Sequence, residues 1–428
     1  MVTIEIGNSY SQIKGMSASQ EKELRKVLSY LPNPQAAYFS GGFNRPKYLI
    51  DKKGYFPTGL WQLVSSIITN ANIVDKRIRP RSTPGMFRLQ LDNKPYEWQT
   101  NAADKAIGHH RGGIQAVTGS GKSLLIALIA SRLNVRTLVV VPSLEIRKQL
   151  QEAINAWFGN TKNIVVHNID SKALLTAKGF DCLIIDECHH AAARTYQKLN
   201  KTVWKDIYYR YFLTATFYRN QDHEKLLFEG IAGQLIYKLS YQEAISKRYI
   251  VPVEAYYIDL PKRTTDAHTW SQVYSELVVN NEYRNKVIAE AITHLPNVLC
   301  LVKEVAHGKK LSELSGIPFV SGEDDESRDY IRQFNAGGID RLIGTTGVIS
   351  EGVDTKPCEY VVLCGLGKAK SAFVQAVGRG VRRYTGKESA KIVIFKDRSH
   401  RFTLRHFNEQ KKILLDEFGV VPVKLDIE

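Results

Sequence analysis

The run Ala116-Val117-Thr118-Gly119-Ser120-Gly121-Lys122-Ser123 has the residue types and spacing to hold a polyphosphate. Gly119 and Gly121 let a backbone curl its N–H groups around an anion, Lys122 adds a full positive charge, and the Ser123 hydroxyl is a ligand for a hard cation such as magnesium. Thr118 and Ser120 complete the loop. Ala116 stands where the strict pattern has its first glycine, and a small residue there still lets the chain turn. Such a loop works only between a strand and a helix, whose N-terminus adds positive potential, and the sequence supplies an apolar run on each side.

A second signal follows at Leu183-Ile184-Ile185-Asp186-Glu187. An apolar strand of an open α/β sheet presents its ligands at its carboxyl end. There Asp186 would hold magnesium through its water shell, and Glu187 would orient and deprotonate an attacking water, because phosphoryl transfer needs positioning and charge stabilisation more than covalent help. By itself a strand ending in Asp-Glu looks like a helix N-cap. Paired with the upstream loop, it points to hydrolysis of a nucleoside triphosphate with magnesium.

These groups need a scaffold, and the texture of the chain indicates one. From about residue 91, short β-branched runs alternate with helical patterns, with candidate strands at 113–117, 137–141, 163–167, 182–186 and 211–216. The pattern returns at 298–302, 318–320, 341–345, 360–364 and 391–395, so two α/β halves follow one another, joined by a connector near 236–261. Fully apolar strands separated by helices predict parallel sheets covered on both faces. The stretch 402–418, ending at Gly419, reads as a closing amphipathic helix.

Residues 1–90 differ. Ser17 and Gln20 have capping-box spacing ahead of Leu24, Val27, Leu28 and Leu31, a hairpin over 47–56 turns at Asp51-Lys52-Lys53-Gly54, and the order reads strand, helix, hairpin, helix, strand. This segment holds 13 Lys plus Arg against 5 Asp plus Glu, half of the net +16 of the whole chain. Lys76, Arg77, Arg79 and Arg81 crowd one stretch, with Lys52 and Lys53 on the hairpin; the set reads as a phosphate-contacting face, against the plainer alternative of a solvated surface.

The 428 residues exceed what one hydrophobic core serves, and 43% hydrophobic with 24% charged residues is an ordinary globular balance. So basic a chain favours polyanionic partners. No apolar run approaches the roughly 20 residues that cross a bilayer. The start of the sequence lacks a basic and then apolar signal pattern. The five cysteines are scattered without a C-x-x-C pair, which suits a cytoplasmic setting, and Cys188-His189-His190 lacks a second pair of metal ligands.

Asp186-Glu187-Cys188-His189 resembles the DECH form of motif II in superfamily 2 helicases, and further motifs of that family follow in order. Pro95-Tyr96-Glu97-Trp98-Gln99 resembles the adenine-reading Q motif, with Gln99 in the hydrogen-bonding place. Val141-Pro142-Ser143 resembles motif Ia, which implies contact of Pro142 and Ser143 with a nucleic-acid backbone, and Thr214-Ala215-Thr216 resembles motif III, which implies coupling of hydrolysis to strand separation. Thr345 and then Glu351-Gly352-Val353-Asp354 resemble motif V, placing Thr345 toward nucleic acid and Gly352 and Asp354 toward nucleotide. Gln375-Ala376-Val377-Gly378-Arg379-Gly380-Val381-Arg382 resembles motif VI, whose arginines, here Arg379 and Arg382, would reach the γ-phosphate. The stretch from Lys53 to Leu60 is similar to the N-terminal domain of phage UvsW-type helicases, relatives of the RecG and XPB group.

The resemblance implies two tandem RecA-like parallel-sheet domains preceded by a small α+β domain. The expected limits are 1–90 for a basic nucleic-acid-binding domain, 91–250 for a first helicase domain with the ATP-binding loop, and 251–428 for a second. The implied activity is that of an ATP-dependent DNA helicase remodelling branched or forked DNA, expected to act as a monomer away from membranes. The alternatives are a duplex DNA translocase, an RNA helicase of the same superfamily, and a non-catalytic nucleic-acid-binding scaffold.

Overall fold

The computed structural model describes residues 1–31, 45–83, 89–91, 94–159, 161–188, 194–215, 222–322, 326–347, 358–367, 369–384 and 386–426. The chain forms two compact units, one of Met1–Ala116 with Lys122–Lys238, the other of Leu239–Glu428 with Val117–Gly121.

The first unit begins with β1 (Thr3–Ile6) and β2 (Tyr10–Lys14), an antiparallel hairpin whose residues alternate between half-buried and buried, the period-two pattern of a sheet with one covered face. Helix α1 (Ala18–Val27) starts with the expected capping box: Gln20 N–H donates to Ser17 Oγ at 3.3 Å, and Ser17 N–H donates to Gln20 Oε1 at 2.9 Å. After it come β3 (Ser29–Tyr30), β4 (Lys47–Tyr48), β5 (Tyr55–Pro57), α2 (Trp61–Ile67) and β6 (Asn72–Asp75). The sheet has the order β5-β2-β1-β6, with β6 parallel to β1.

Two expectations for this segment need correction. The opening strand is a hairpin, turned at Gly7-Asn8-Ser9. The turn at Asp51 to Gly54 is present, closed by Asp51 Oδ1, which accepts Lys53 N–H at 2.8 Å and Tyr55 N–H at 2.9 Å. Its arms do not pair with each other, however: β4 pairs with β3, and β5 pairs with β2. Burial explains the parting, because Phe56 reaches the core of this sheet only when set opposite Ser11 of β2.

The first large sheet contains β7 (Arg111–Ala116), β8 (Thr137–Val141), β9 (Ile164–Asn168), β10 (Cys182–Ile185), β11 (Tyr209–Thr214) and β12 (Leu235–Leu239), in the order β12-β7-β11-β10-β8-β9. From β7 to β9 every neighbour is parallel, and β8, β10 and β11 are buried throughout, as strands covered on both faces must be. The helices between them are α3 (Glu97–His109), α4 (Lys122–Leu133), α5 (Leu144–Phe158), α6 (Arg194–Lys201) and α7 (Asp222–Ala232).

The second large sheet has seven strands: β13 (Val253–Leu260), β14 (Val298–Val302), β15 (Phe319–Val320), β16 (Arg341–Thr345), β17 (Tyr360–Cys364), β18 (Ala390–Asp397) and β19 (Val423–Lys424). Their order is β15-β16-β14-β17-β18-β13-β19, again with parallel neighbours. Strand β13 lies inside the stretch expected as connector. It pairs with β18 along its whole length, from Val253 opposite Ala390 to Leu260 opposite Asp397, because its inward side chains find a buried place there. Helices α8 (Tyr241–Ser246), α9 (Glu282–His294), α10 (Val305–Ser315), α11 (Ser327–Ala336), α12 (Lys370–Gly380) and α13 (Arg401–Ile413) accompany this sheet. The closing helix runs on to Phe418 and stops at Gly419, whose φ of 74° is left-handed. No helix among the described residues is long and apolar enough to cross a membrane.

Candidate functional site

Strand β11 lies between β7 and β10, with Thr214 opposite Gln115 and Phe212 opposite Ile185. The phosphate loop, Thr214 and Asp186 therefore all leave the sheet at its carboxyl end, and the chain reverses there, since β8 lies on the far side of β10 from β7. Gly119 and Gly121 take φ values of 81° and 93°, a region that side chains resist. Ser120 Oγ donates to Val117 O at 2.7 Å and tightens the curl, beside a buried Thr118.

Helix α4 begins at Lys122, and its side chain turns inward with only 9% of its surface exposed. The ammonium lies 3.1 Å from Glu187 Oε1, on a side chain 18% exposed. Asp186 is buried beside them, with its Oδ1 accepting Glu187 N–H at 2.9 Å. Glu187 itself has φ 46°, a left-handed conformation that a non-glycine residue adopts at a cost and that recurs at functional sites. Cation and carboxylate compensate each other where either alone would be costly to bury. Ser123, one residue into α4, is exposed.

Cys188 turns the other way, into the core beneath the sheet. Burial, followed by the Glu187 and Asp186 charges, pushes its thiol well above the usual range, as befits a cysteine packed in a core. His189 and His190 lie outside the described residues, and among the described ones no cluster of three metal-ligating side chains occurs.

The remaining positions are less tightly gathered. Gln99 is buried on α3, and its Oε1 accepts Tyr96 N–H at 2.8 Å, so the amide oxygen caps its own helix. Pro142 and Ser143 follow β8 at the same end of the sheet; the Ser143 hydroxyl caps α5 by accepting Ile146 N–H at 3.3 Å. Thr214 is fully buried, and Thr216 lies outside the described residues.

In the second unit, Thr345 ends β16 and is buried. A cavity of about 160 Å³ opens there, lined by Thr346, Gly347, Gln375 and Arg379 among others. Arg379 is buried near the end of α12, and Arg382 follows that end half-buried. Gly380 allows this placement, because a Cβ there would come 2.9 Å from Val361 Cγ2 of β17. Glu351, Gly352, Val353 and Asp354 lie outside the described residues.

The basic residues of the N-terminal segment divide into two groups. Lys52 and Lys53 are exposed at the tip of their turn. Arg77 instead grips Asp75 through Nε at 2.9 Å and Nη2 at 2.7 Å and lies 5.1 Å over the Tyr208 ring, while Arg79 Nε donates to Tyr209 Oη at 3.0 Å. The hydrogen bonds from Arg77 hold the Asp75 carboxyl below its ordinary range. Arg77 thus ties the N-terminal sheet to the first large one, whereas Arg79 stays exposed while bonded to Tyr209.

Sequence reasoning missed Arg111 and Arg210, which face each other across β7 and β11. Arg111 donates to Ile231 O at 3.0 Å and to Asn8 O. Arg210 is fully buried and donates to Ile207 O at 3.0 Å, Ser9 Oγ at 2.8 Å, Asn200 Oδ1 and Trp204 O. Burial pushes its guanidinium down to about 9. A basic residue inside a strand buried on both faces was the available signal.

Comparison with known proteins adds the family. A model described as the res subunit of type III restriction enzymes matches residues 92–176 and 164–219, and a helicase conserved C-terminal domain model matches 287–384. The chain is 24% identical over 360 residues to the DNA 3'-5' translocase XPB2 of Sulfurisphaera tokodaii, covering 70% of this chain and 80% of that one. It is 21% identical over 343 residues to the ATP-dependent DNA helicase uvsW of Enterobacteria phage T4, covering 70% and 68%. Among solved structures, Saccharomyces cerevisiae Dbp5 bound to RNA and ADP BeF3 shares the fold, with TM-score 0.55, 17% identity and coverage of 78% and 90%.

Proposed function

The chain belongs to the superfamily 2 helicases and is an ATP-dependent motor, and from that premise we propose that it works on DNA and remodels branched duplexes such as forks and junctions. The observation that carries the hydrolytic part is the Lys122–Glu187 pair beyond the carboxyl ends of the parallel strands β7 and β10, which flank β11, with a glycine loop in left-handed conformation leading into Lys122. In this reading Lys122 and the N–H groups of Thr118 to Ser123 hold the outer phosphates. Glu187 orients the attacking water and takes its proton, and Arg379 and Arg382 stabilise charge on the γ-phosphate. Gln99 reads the adenine, and Thr214 and Thr216 couple hydrolysis to strand movement. Pro142, Ser143 and Thr345 guide the backbone, with Gly352 and Asp354 on the nucleotide side.

Ser123 and Asp186 are hard oxygen donors, and so small a set fits a magnesium ion that keeps most of its waters and binds largely through phosphate. When bound, the ion neutralises phosphate charge.

The choice of DNA rests on the similarity to uvsW and XPB2 and on the excess of Lys and Arg in residues 1–90. A second reading, translocation along unbranched duplex, draws on the name carried by the XPB2 relative. The test is ATPase stimulation by a fork, a four-way junction, linear duplex, single strand and RNA, measured in parallel at one salt concentration. Greatest stimulation by the fork and junction is expected. Equal stimulation by linear duplex would favour the translocase, and stimulation by RNA alone would overturn the DNA reading.

A further inference from the structure

A cavity of about 260 Å³ opens within the first unit, where the N-terminal segment meets the first large sheet. Tyr10, Tyr48 and Tyr55 line one side, and Gln197, Asn200 and Lys201 of α6 line the other. Tyr48 and Tyr55 are 51% and 43% exposed, so two of the lining aromatic residues are about half open to solvent. Cations lie against the rings: Arg25 is 5.4 Å from the Tyr48 centroid and Lys201 is 5.8 Å from that of Tyr10. Lys52 and Lys53 occupy the exposed turn between Tyr48 and Tyr55, and Asp51, the acidic residue on the same wall, has its Oδ1 engaged by the Lys53 and Tyr55 N–H groups.

Exposed rings interleaved with lysines and amides suit an unpaired nucleotide, which offers a π-face to stack, base edges to hydrogen-bond and a phosphate to neutralise. Duplex fits poorly, because its base faces are already stacked on one another. Resting on the reading of the chain as a DNA motor, we propose that this cavity captures unpaired nucleotides of a DNA strand, with bases on Tyr48 and Tyr55 and phosphates on Lys52, Lys53 and Lys201. Besides α6, the opposite wall includes Leu227 and Ile231 of α7, and these two helices are the next in the chain after Asp186-Glu187 and after Thr214. A nucleotide lodged here bears on both helices.

The experiment uses the full chain and a fork carrying 2-aminopurine in its single-stranded arm, with binding, probe fluorescence and ATPase recorded for the wild type and two variants. For Tyr48→Ala/Tyr55→Ala, fork affinity falls at least about tenfold and probe quenching is lost, while blunt-duplex affinity and DNA-free ATPase stay within about twofold. Tyr48→Phe/Tyr55→Phe keeps the rings and retains both fork affinity and quenching. If the alanine pair binds the fork as the wild type does, or loses blunt-duplex affinity equally, the pocket assignment is overturned while the motor reading stands. A wild type that hydrolyses ATP but responds to no DNA overturns the motor reading itself, and the pocket assignment with it.

Discussion

Lys122 and Glu187 set opposite charges 3.1 Å apart in a largely buried place, so each is expected to fail in its own way when changed. Lys122→Ala removes the cation proposed to meet the outer phosphates and leaves a buried carboxylate uncompensated. Turnover should fall by at least about two orders of magnitude and nucleotide affinity should fall with it, while DNA binding is retained. Glu187→Gln keeps the cation and removes the proposed base, so nucleotide should still bind while phosphate release stops. Phosphate release together with fluorescent-nucleotide titration separates the two cases, and normal release by Lys122→Ala would remove the assignment. These residues were legible because the chemistry needs them contiguous: a loop of eight residues and an acidic pair at a strand end carry their own context. Arg111 and Arg210 were not, since their partners Asn8 and Ser9 sit at the far end of the sequence and only folding brings them close.

The large sheets were readable for a similar reason, because a strand buried on both faces shows as a short apolar run whatever pairs with it. The elements misread were those decided by pairing: β13 looked like linker until β18 took it as a neighbour, and the arms of the Asp51 turn went to different partners. Pairing also suggests what holds the N-terminal hairpin in place. Arg210 feeds one acceptor of α6, two carbonyls of the loop between α6 and β11, and one hydroxyl of the β1–β2 turn, so Arg210→Ala would leave buried acceptors without donors. A loss on the order of 3 kcal/mol is expected in urea melts, with faster amide exchange in β1 and β2; an unchanged midpoint would refute the idea. In the second unit, α9 and α10 meet through His307, whose Nε2 lies 3.1 Å from Asn285 Oδ1. Burial, then Arg284 and Lys310, pushes this imidazole down to about 3. An unfolded chain takes up the proton near the ordinary histidine value and the folded chain does not, so the neutral ring stabilises fully above about 6.5 and its contribution is lost as pH falls toward about 3. Between pH 6 and 4 the slope from this one group is about 1.4 kcal/mol per pH unit. His307→Gln should flatten the pH dependence of the melts by that amount, and an identical slope in the variant would rule the ring out as its source.

At the scale of the whole molecule, the relevant quantity is a net charge of +16, half of it carried by residues 1–90. Charge of this kind attracts any polyphosphate and distinguishes none, so its mark is salt dependence: each phosphate neutralised releases condensed counterions, and log affinity falls with log salt in proportion to the number of contacts. The structure divides the basic residues of the N-terminal segment in a way that composition could not. Arg77 is held by Asp75 and Tyr208, whereas Lys52 and Lys53 are exposed on their turn. The two groups should therefore behave differently. Lys52→Ala/Lys53→Ala should lower the slope of log affinity against log salt by about 2 and weaken binding of all DNA sequences alike, with folding stability unchanged. Arg77→Ala should leave that slope nearly intact and lower the melting midpoint instead, because it removes a bidentate contact and a stacked ring partner from the seam with the first large sheet. Affinity titrations across a salt series, paired with melts of the same variants, decide the matter. If Arg77→Ala flattens the slope as much as the lysine pair does, Arg77 must leave Asp75 to meet phosphate, and the division between an anchoring Arg77 and binding lysines fails.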